Sequence, residues 1–231
     1  MCFASIFTQR THDQSIVAPI VCHPADIDKW KHLLATVEAV IDTTATYDPE
    51  EVVKVLGLVT EAVKAVRPAW AAKLTYIDTS GGLVHGENRD EIVTDTTPTT
   101  APHQLVAWRP AHERNVIGST LLNGIVIRPV WVIGRSASHV GRMLFLSAHA
   151  GEVVGFGTPG GRCSTIHQDD LADAYVRAVE RGSIVRGSIF DIGNDFTESV
   201  DDILATLCKV SGVKGYKYRE PVNRKDLFPT P

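Results

Sequence analysis

The polar residues with the clearest chemical potential follow a short apolar segment. Residues 74–78 read LTYID, and Thr79-Ser80-Gly81-Gly82 comes directly after them. In a doubly wound α/β sheet, ligands bind beyond the carboxyl ends of the strands. Two hydroxyl groups at such an end could hold a substrate oxygen or a cofactor ribose, and the glycines would let a ligand approach the backbone. The alternative is a strand terminus whose hydroxyl groups only cap a turn.

Two histidines and one arginine are further candidates. His85 could act as an acid or base, because imidazole titrates near neutrality, but no partner is close in sequence, so a loop histidine without a chemical role is favoured. His167 precedes Asp169-Asp170, where a capped helix start is favoured over an acid/base pair. Arg128 interrupts an apolar segment, where a charge is costly unless it is paired. We expect it to meet an acid in preference to a ligand phosphate.

Residues 155–160 read GFGTPG and match the pattern G-x-G-x-x-G. That pattern binds a dinucleotide only where the glycines open a helix whose N-terminus meets the pyrophosphate. Here Pro159 and Gly161 oppose a helix, and residues 162–167 have the character of an extended segment. A glycine-rich hairpin or loop is therefore favoured.

The elements that must position these residues alternate between strands and helices. The predicted order is a strand at 37–43, a helix from Asp48 that stops at Pro68, a strand at 74–78, a helix from Pro110 to Gly124, a strand at 125–133, a helix from about Asp169 to Gly182, a strand at 188–192 and a helix after Ser199. This alternation predicts a mostly parallel sheet with helices on both faces. Residues 84–108 and 135–167 fit it less well and are expected to form loops or a small cap. The polar tail from Lys214 is expected to end loosely.

Composition narrows the classes of partner. The chain has 231 residues with a formal net charge of −4, and its Lys and Arg residues are scattered, which argues against nucleic-acid or anionic-membrane partners. The four cysteines lack zinc-type spacing, so we expect no metal site, and their small number suits a reducing compartment. No segment approaches the roughly 18–20 apolar residues of a membrane helix, so a cytoplasmic protein with a small-molecule substrate is expected.

Five segments occur in an order that resembles a known family. They are residues 39–45 (AVIDTTA), 76–80 with 84–86 (YIDTS and VHG), 127–134 (IRPVWVIG), 165–174 (TIHQDDLADA) and 187–193 (GSIFDIG). Together they resemble the extended short-chain dehydrogenase/reductase family, of the NAD-dependent epimerase/dehydratase type, over about residues 15–212. The resemblance implies a Rossmann-like α/β fold with a small C-terminal substrate lobe. It also implies NAD or NADP as cofactor and a substrate with a small hydroxyl or carbonyl group.

The resemblance assigns roles to individual positions. Thr44 and Ala45 correspond to the strand end that touches the cofactor ribose, and Thr79 belongs to the same cofactor rim. Ser80 corresponds to the catalytic serine, which hydrogen-bonds the substrate oxygen where charge develops. Pro129 and Val132 fall in the segment beside the nicotinamide.

The family's Tyr-x-x-x-Lys pair is absent. By spacing to Glu113, Leu105 takes the tyrosine position and Arg109 the lysine position. Leucine cannot transfer a proton, whereas Arg109 stays charged and could bind a ribose or an anionic intermediate. Trp108 or His112 could be recruited instead, although no family pattern supports either.

The beginning of the sequence also departs from the family. Residues 15–21 and 26–30 resemble the family's third strand and the helix after it, so the first strand-turn-helix-strand unit is expected to be missing, with its glycine-rich pyrophosphate turn. We expect a shortened core at 1–134 and a mixed segment at 135–231, with a lobe from 135–167 and 211–231 and returning core elements at 168–210. Either residues 1–7 or a second chain, as in a homodimer, would pair the exposed sheet edge.

Three functions remain open on these grounds. The first is an atypical NAD(P)-dependent oxidoreductase or epimerase, with Ser80 orienting the carbonyl and Arg109 holding the ribose. The second is a cofactor-free isomerase, dehydratase or cyclase that uses Ser80, Arg109 and His85. The third is a non-catalytic binding protein.

Overall fold

A computed structural model describes residues 3–11, 14–44, 48–89, 91–134, 139–156 and 158–219. The strands are Phe3–Thr11 (β1), Gln14–Val21 (β2), Ala39–Asp42 (β3), Thr75–Thr79 (β4), Asn123–Pro129 (β5), Trp131–Ile133 (β6), Val153–Phe156 (β7), Arg162–His167 (β8), Ile189–Ile192 (β9), Thr197–Ser199 (β10) and Tyr216–Arg219 (β11). The α-helices are Pro49–Val66 (α1), Arg109–Ile117 (α2), His139–His149 (α3), Gln168–Glu180 (α4) and Val200–Ser211 (α5). Short 3-10 helices cover Ile27–Lys29, Lys31–Ala35, Gly82–His85 and Gln104–Val106.

The main sheet has the strand order β3-β4-β5-β9. β3, β4 and β5 are parallel, with Ala39 opposite Thr75 and Thr75 opposite Asn123. Tyr76 packs in one core cluster with residues of α1 and α2, whereas Thr79, on the other face of β4, contacts Tyr175 of α4. The α/β fold with a parallel sheet covered on both faces, predicted from the alternation, is confirmed.

Local sequence signals explain where α1 begins and which face it buries. The Asp48 side chain accepts a hydrogen bond from the Glu50 N–H at 3.0 Å, and Pro49 occupies the first turn, where its missing N–H costs nothing. The buried residues of the helix recur every three or four positions and are Val52, Val55, Val59, Ala62 and Val63. All of them except Val52 pack in the same core cluster as Tyr76.

The helix predicted to run to Gly124 is shorter. α2 ends at Ile117, and the Ser119 hydroxyl then accepts hydrogen bonds from the N–H groups of Leu121 and Leu122, which forms a turn. Gly124 is instead in β5, where a Cβ would lie 1.9 Å from the Val116 carbonyl oxygen. The glycine therefore allows close contact between strand and helix and does not end the helix.

The single strand predicted at 125–133 is two strands in two sheets. β5 pairs with β4, whereas β6 pairs in parallel with β8, with β10 on the other side of β8. The break falls at Val130, directly after Pro129, which has no N–H to donate to a ladder. The Val130 N–H donates to the Ile192 carbonyl.

Residues 15–21 do not pair as the family's third strand would, so this prediction was wrong. β2 pairs antiparallel with β1 in a separate two-stranded sheet, with Phe3 opposite Val21, rather than joining the main sheet. The predicted helix from Asp26 is two 3-10 helices. The Trp30 indole N–H donates to the Pro24 carbonyl, and Leu34 is buried in the core, so this short segment is held by its side chains.

The chain divides into two compact units. One contains the described residues up to Arg128 with Tyr175–Phe190, and the other contains Pro129–Ala174 and the described residues from Asp191. The second unit has a core of Ala148, Val153, Leu204, Leu207 and Cys208. The domain boundary predicted at residue 134 stays a prediction.

Two predictions concern the second unit. β11 pairs in parallel with β7, so residues 216–219 are not loose as expected, and Glu152 binds Lys217 and Arg219 of that strand. Residues 220–231 lie outside the described part. The stretch 155–160 follows the prediction, because its described glycines precede an extended strand, β8, and open no helix. Within the described residues, no helix is long and apolar enough to cross a membrane.

Candidate functional site

Ser80 lies at the carboxyl end of β4, as the sequence predicts. β4 ends at Thr79, and the Ser80 N–H donates to the Ile127 carbonyl of β5 at 2.8 Å. Ser80 and the two glycines after it are half-buried. The position at a strand end is therefore confirmed, while a role in binding stays a prediction.

A buried ion pair holds the Ser80 side chain. The Ser80 hydroxyl donates to Oε1 of Glu113 at 2.5 Å. Arg128 donates to the same carboxylate through Nε to Oε1 at 3.0 Å and through Nη2 to Oε2 at 2.5 Å. Glu113 is 1% exposed and Arg128 is 3% exposed. The expected pairing of Arg128 with an acid is confirmed, and we call these three residues the serine cluster.

His85 borders the serine cluster. It ends the 3-10 helix Gly82–His85, is half-buried, and has Nε2 3.4 Å from Nη1 of Arg128. Gly86 follows with φ 68°, where a Cβ would lie 2.0 Å from the Ala101 carbonyl oxygen, so glycine is required for this turn. The neighbouring sequence identified no partner for His85, and the fold places it beside Arg128 from another part of the chain.

Arg109 contacts the protein and not the solvent. Nη1 donates to the Thr79 carbonyl at 2.9 Å and lies 3.6 Å from Oδ2 of Asp78, and the guanidinium stacks 4.7 Å above the Trp108 ring. The residue is 7% exposed. These contacts fix the last carbonyl of β4, so Arg109 supports the strand end from inside. Its predicted contact with a ribose stays a prediction.

His112 and Leu105 are poorly suited to supply a proton. His112 is 2% exposed, its Nε2 lies 3.4 Å from Oδ1 of Asp78, and its ring meets Trp108 edge to face. A ligand cannot reach a side chain this deeply buried without rearrangement. Leu105 is half-buried in a 3-10 helix and has no ionisable group.

The end of β3 is held by a second buried carboxylate. The Tyr76 hydroxyl donates to Oδ2 of Asp42 at 2.6 Å, and the Thr44 N–H donates to Oδ1 at 2.9 Å. Burial, together with the negative charge of Asp42, raises the pKa of Tyr76 well above its usual value. Thr44, a predicted ribose contact, is thus fixed through its backbone, whereas Ala45 lies outside the described residues.

Tyr175 is a site candidate that sequence reasoning missed. Its hydroxyl lies 2.7 Å from Oγ1 of Thr79, and burial raises its pKa to about 12. The helical periodicity of α4 indicated only that Tyr175 faces inward. A polar hydroxyl at an inward position was the one available signal, because buried tyrosine O–H groups usually find a partner.

The remaining predicted residues are Pro129, Val132 and His167. Pro129 and Val132 belong to the second unit, and their predicted place beside a nicotinamide stays a prediction. His167 accepts from the Asp169 N–H at 3.3 Å through Nδ1, and α4 begins at Gln168, which confirms the helix-start interpretation. Among the residues that the structure describes, no cluster of three or more His, Cys, Asp or Glu side chains could hold a metal ion.

The fold has close structural counterparts. A dTDP-glucose 4,6-dehydratase from Bacillus anthracis in complex with NAD superposes with TM-score 0.69 at 15% identity, over 88% of this chain and 67% of that chain. A UDP-glucuronic acid 4-epimerase from Bacillus cereus in complex with NAD gives 0.61 at 20%, over 82% and 65%. A UDP-glucose 4-epimerase from Bifidobacterium longum in complex with NAD+ and UDP gives 0.62 at 17%, over 87% and 70%.

These similarities establish the Rossmann-like fold. No family model and no curated protein matches the sequence. The chain spans about two thirds of the length of these solved structures, which are a dehydratase and two epimerases in complex with NAD. The predicted resemblance to proteins of this type is confirmed at the level of the fold.

The described residues fit only part of a nicotinamide dinucleotide. Hydroxyl groups of Thr44, Thr79 and Ser80 at neighbouring strand ends suit a ribose and the ring beside it. No described helix opens with a glycine-rich turn for the pyrophosphate, and α1 begins with the acids Asp48 and Glu50, which disfavour a phosphate.

Proposed function

We propose that the carboxyl ends of β3 and β4 bind a small ligand with a hydroxyl or carbonyl group. The chain would act on it as an atypical NAD(P)-dependent oxidoreductase or epimerase. The observation that carries this proposal is Ser80, half-buried at the end of β4 and held by the buried Glu113–Arg128 pair. A buried ion pair is costly to assemble, and here it fixes the side chain of a half-buried residue at a strand end.

In this proposal each side chain has a distinct task. Ser80 contacts the ligand oxygen, Arg109 holds the Thr79 carbonyl in place, and Thr44 meets the ribose. Bound nicotinamide would supply or accept a hydride. Leu105 has no proton to give, so we assign the proton transfer to the Tyr175 hydroxyl, which lies 2.7 Å from Oγ1 of Thr79.

Calorimetric titration of the full chain with NADH and with NADPH tests the nucleotide part. We expect binding that weakens in Ser80→Ala, because that variant removes a polar contact at the ring end of the site. Ser119→Ala is the matched control, since Ser119 lies in the turn after α2 and only accepts from local backbone N–H groups. Absence of any binding heat at millimolar nucleotide would refute a nicotinamide-dependent function.

A second function is favoured by the acidic start of α1 and by the finding that none of the described helices opens with a glycine-rich turn. The same site could catalyse an isomerisation, dehydration or cyclisation without a nucleotide. Ser80 and His85 are the polar residues available for it, and both are half-buried. Turnover of a candidate hydroxy-carbonyl compound without nucleotide, lost in Ser80→Ala and kept in Ser119→Ala, is the expected result. Turnover unchanged in Ser80→Ala would place the reaction elsewhere.

A further inference from the structure

The geometry of the serine cluster points to the chemical class of ligand that the proposed site prefers. We propose that Ser80 meets its ligand as a hydrogen-bond acceptor, so that the site selects a hydroxyl group over a carbonyl group. This inference rests on the proposed function, because it concerns the same ligand contact.

The Ser80 proton is already used within the protein. A serine hydroxyl has one proton and two lone pairs, and its proton points to Oε1 of Glu113 at 2.5 Å. That carboxylate also accepts two hydrogen bonds from Arg128, which can only donate. Within this cluster, Ser80 is therefore the donor to Glu113, and its lone pairs are the part left for a ligand. A ligand hydroxyl can donate to them, whereas a ligand carbonyl cannot.

The backbone prevents Ser80 from turning away easily. The peptide between Thr79 and Ser80 is held on both sides, by Arg109 at the Thr79 carbonyl and by the Ile127 carbonyl at the Ser80 N–H. The direction of the Ser80 Cβ is thus fixed by contacts from α2 and β5. To donate to a ligand carbonyl, the hydroxyl would have to give up a hydrogen bond to a charged, buried acceptor.

The strength of that bond sets the expected selectivity. Hydrogen bonds to charged groups contribute more than neutral ones, and their loss corresponds to at least about tenfold in a dissociation constant. We therefore expect an alcohol to bind at least about tenfold more tightly than the ketone with the same carbon skeleton.

The test uses the full chain, labelled with nitrogen-15, and the matched probes 2-propanol and acetone. Dissociation constants are taken from the shift of the backbone amide resonance at position 80, which all the variants retain. We expect 2-propanol to bind more tightly in the unaltered chain. The two probes should bind equally in Ser80→Ala, and the preference should be unchanged in Ser119→Ala.

A second variant weakens the hydrogen bond that holds the Ser80 proton. Glu113→Gln combined with Arg128→Met removes both buried charges and puts an amide beside Ser80. The amide either donates to Ser80 through its N–H₂ or accepts from it through a neutral oxygen, so the serine proton is held less strongly and the preference for 2-propanol over acetone should fall. This double variant avoids the unpaired buried charge that either single change would leave.

The possible outcomes separate the two proposals. Acetone binding as tightly as 2-propanol in the unaltered chain overturns the acceptor role of Ser80 but leaves a ligand site at this strand end. An unchanged preference in the double variant also overturns that role. If neither probe shifts the Ser80 amide, the proposed site itself is wrong, and the inference fails with it.

Discussion

Replacing Arg128 with methionine would leave the Glu113 carboxylate buried without its cation. Glu113 is 1% exposed, and both of its oxygens accept from Arg128, so only the Ser80 hydroxyl would remain as a partner within the serine cluster. Removing one partner of a buried ion pair costs about 3–5 kcal/mol. The free energy of unfolding of a typical domain is about 5–15 kcal/mol, so a loss of this size can be measured while a folded population of Arg128→Met remains.

Urea-induced unfolding followed by tryptophan fluorescence measures this cost, because Trp30 and Trp108 lie in the same unit as the ion pair. The double variant Glu113→Gln with Arg128→Met should recover at least about half of the loss, since no buried charge is left unpaired. Lys64→Met is the matched control. It removes an exposed pair with Glu61 and should cost less than about 1 kcal/mol.

Two results would refute this reasoning. One is a loss in Arg128→Met no larger than that in Lys64→Met, which would mean that Glu113 is hydrated. The other is a double variant as unstable as Arg128→Met, which would mean that the loss comes from packing around residue 128 and not from the unpaired carboxylate.

Three further predictions follow from single positions. Gly124→Ala should destabilise the chain strongly in urea unfolding, because the added Cβ would lie 1.9 Å from the Val116 carbonyl oxygen. Gly57 lies in the exposed middle of α1, and a Cβ there would meet no atom within 4 Å, so Gly57→Ala should stabilise the chain by about 0.5–1 kcal/mol. Equal effects of the two substitutions would contradict this prediction. Burial raises the pKa of Tyr175 to about 12, against 10.0 for an unperturbed tyrosine. The free energy of unfolding should therefore keep the contribution of this group below pH 10 and lose it between pH 10 and about 12. Tyr175→Phe should flatten that loss when urea unfolding is measured at alkaline pH. Burial raises the pKa of the Cys163 thiol to about 11, which leaves less of the reactive thiolate at pH 8. Alkylation followed by mass spectrometry should therefore be roughly a hundredfold slower than for a model thiol of pKa 9.0. An equal rate would show that the thiol is exposed.

The sequence by itself determined where two of the helices begin and which strand end carries the candidate site. The cap at Asp48 and Pro49 and the capping Ser199 are local signals, and both helices begin where those signals predict. The apolar runs at residues 37–43 and 74–78 predicted two strands, so Thr79 and Ser80 could be placed at a strand end. Arg128 also implied an acidic partner, because a lone buried charge is too costly.

Only the tertiary structure decided which residues meet. Glu113 lies 33 positions after Ser80 in the chain, and Tyr175 lies 96 positions after Thr79, yet the parallel register and the packing of helices on opposite sheet faces bring both pairs into hydrogen-bond contact. No local pattern encodes such a contact, because it depends on how far each helix is rotated and shifted against the sheet. The same physics decided what Arg109 contacts within the protein: at the start of α2, its guanidinium donates to the Thr79 carbonyl.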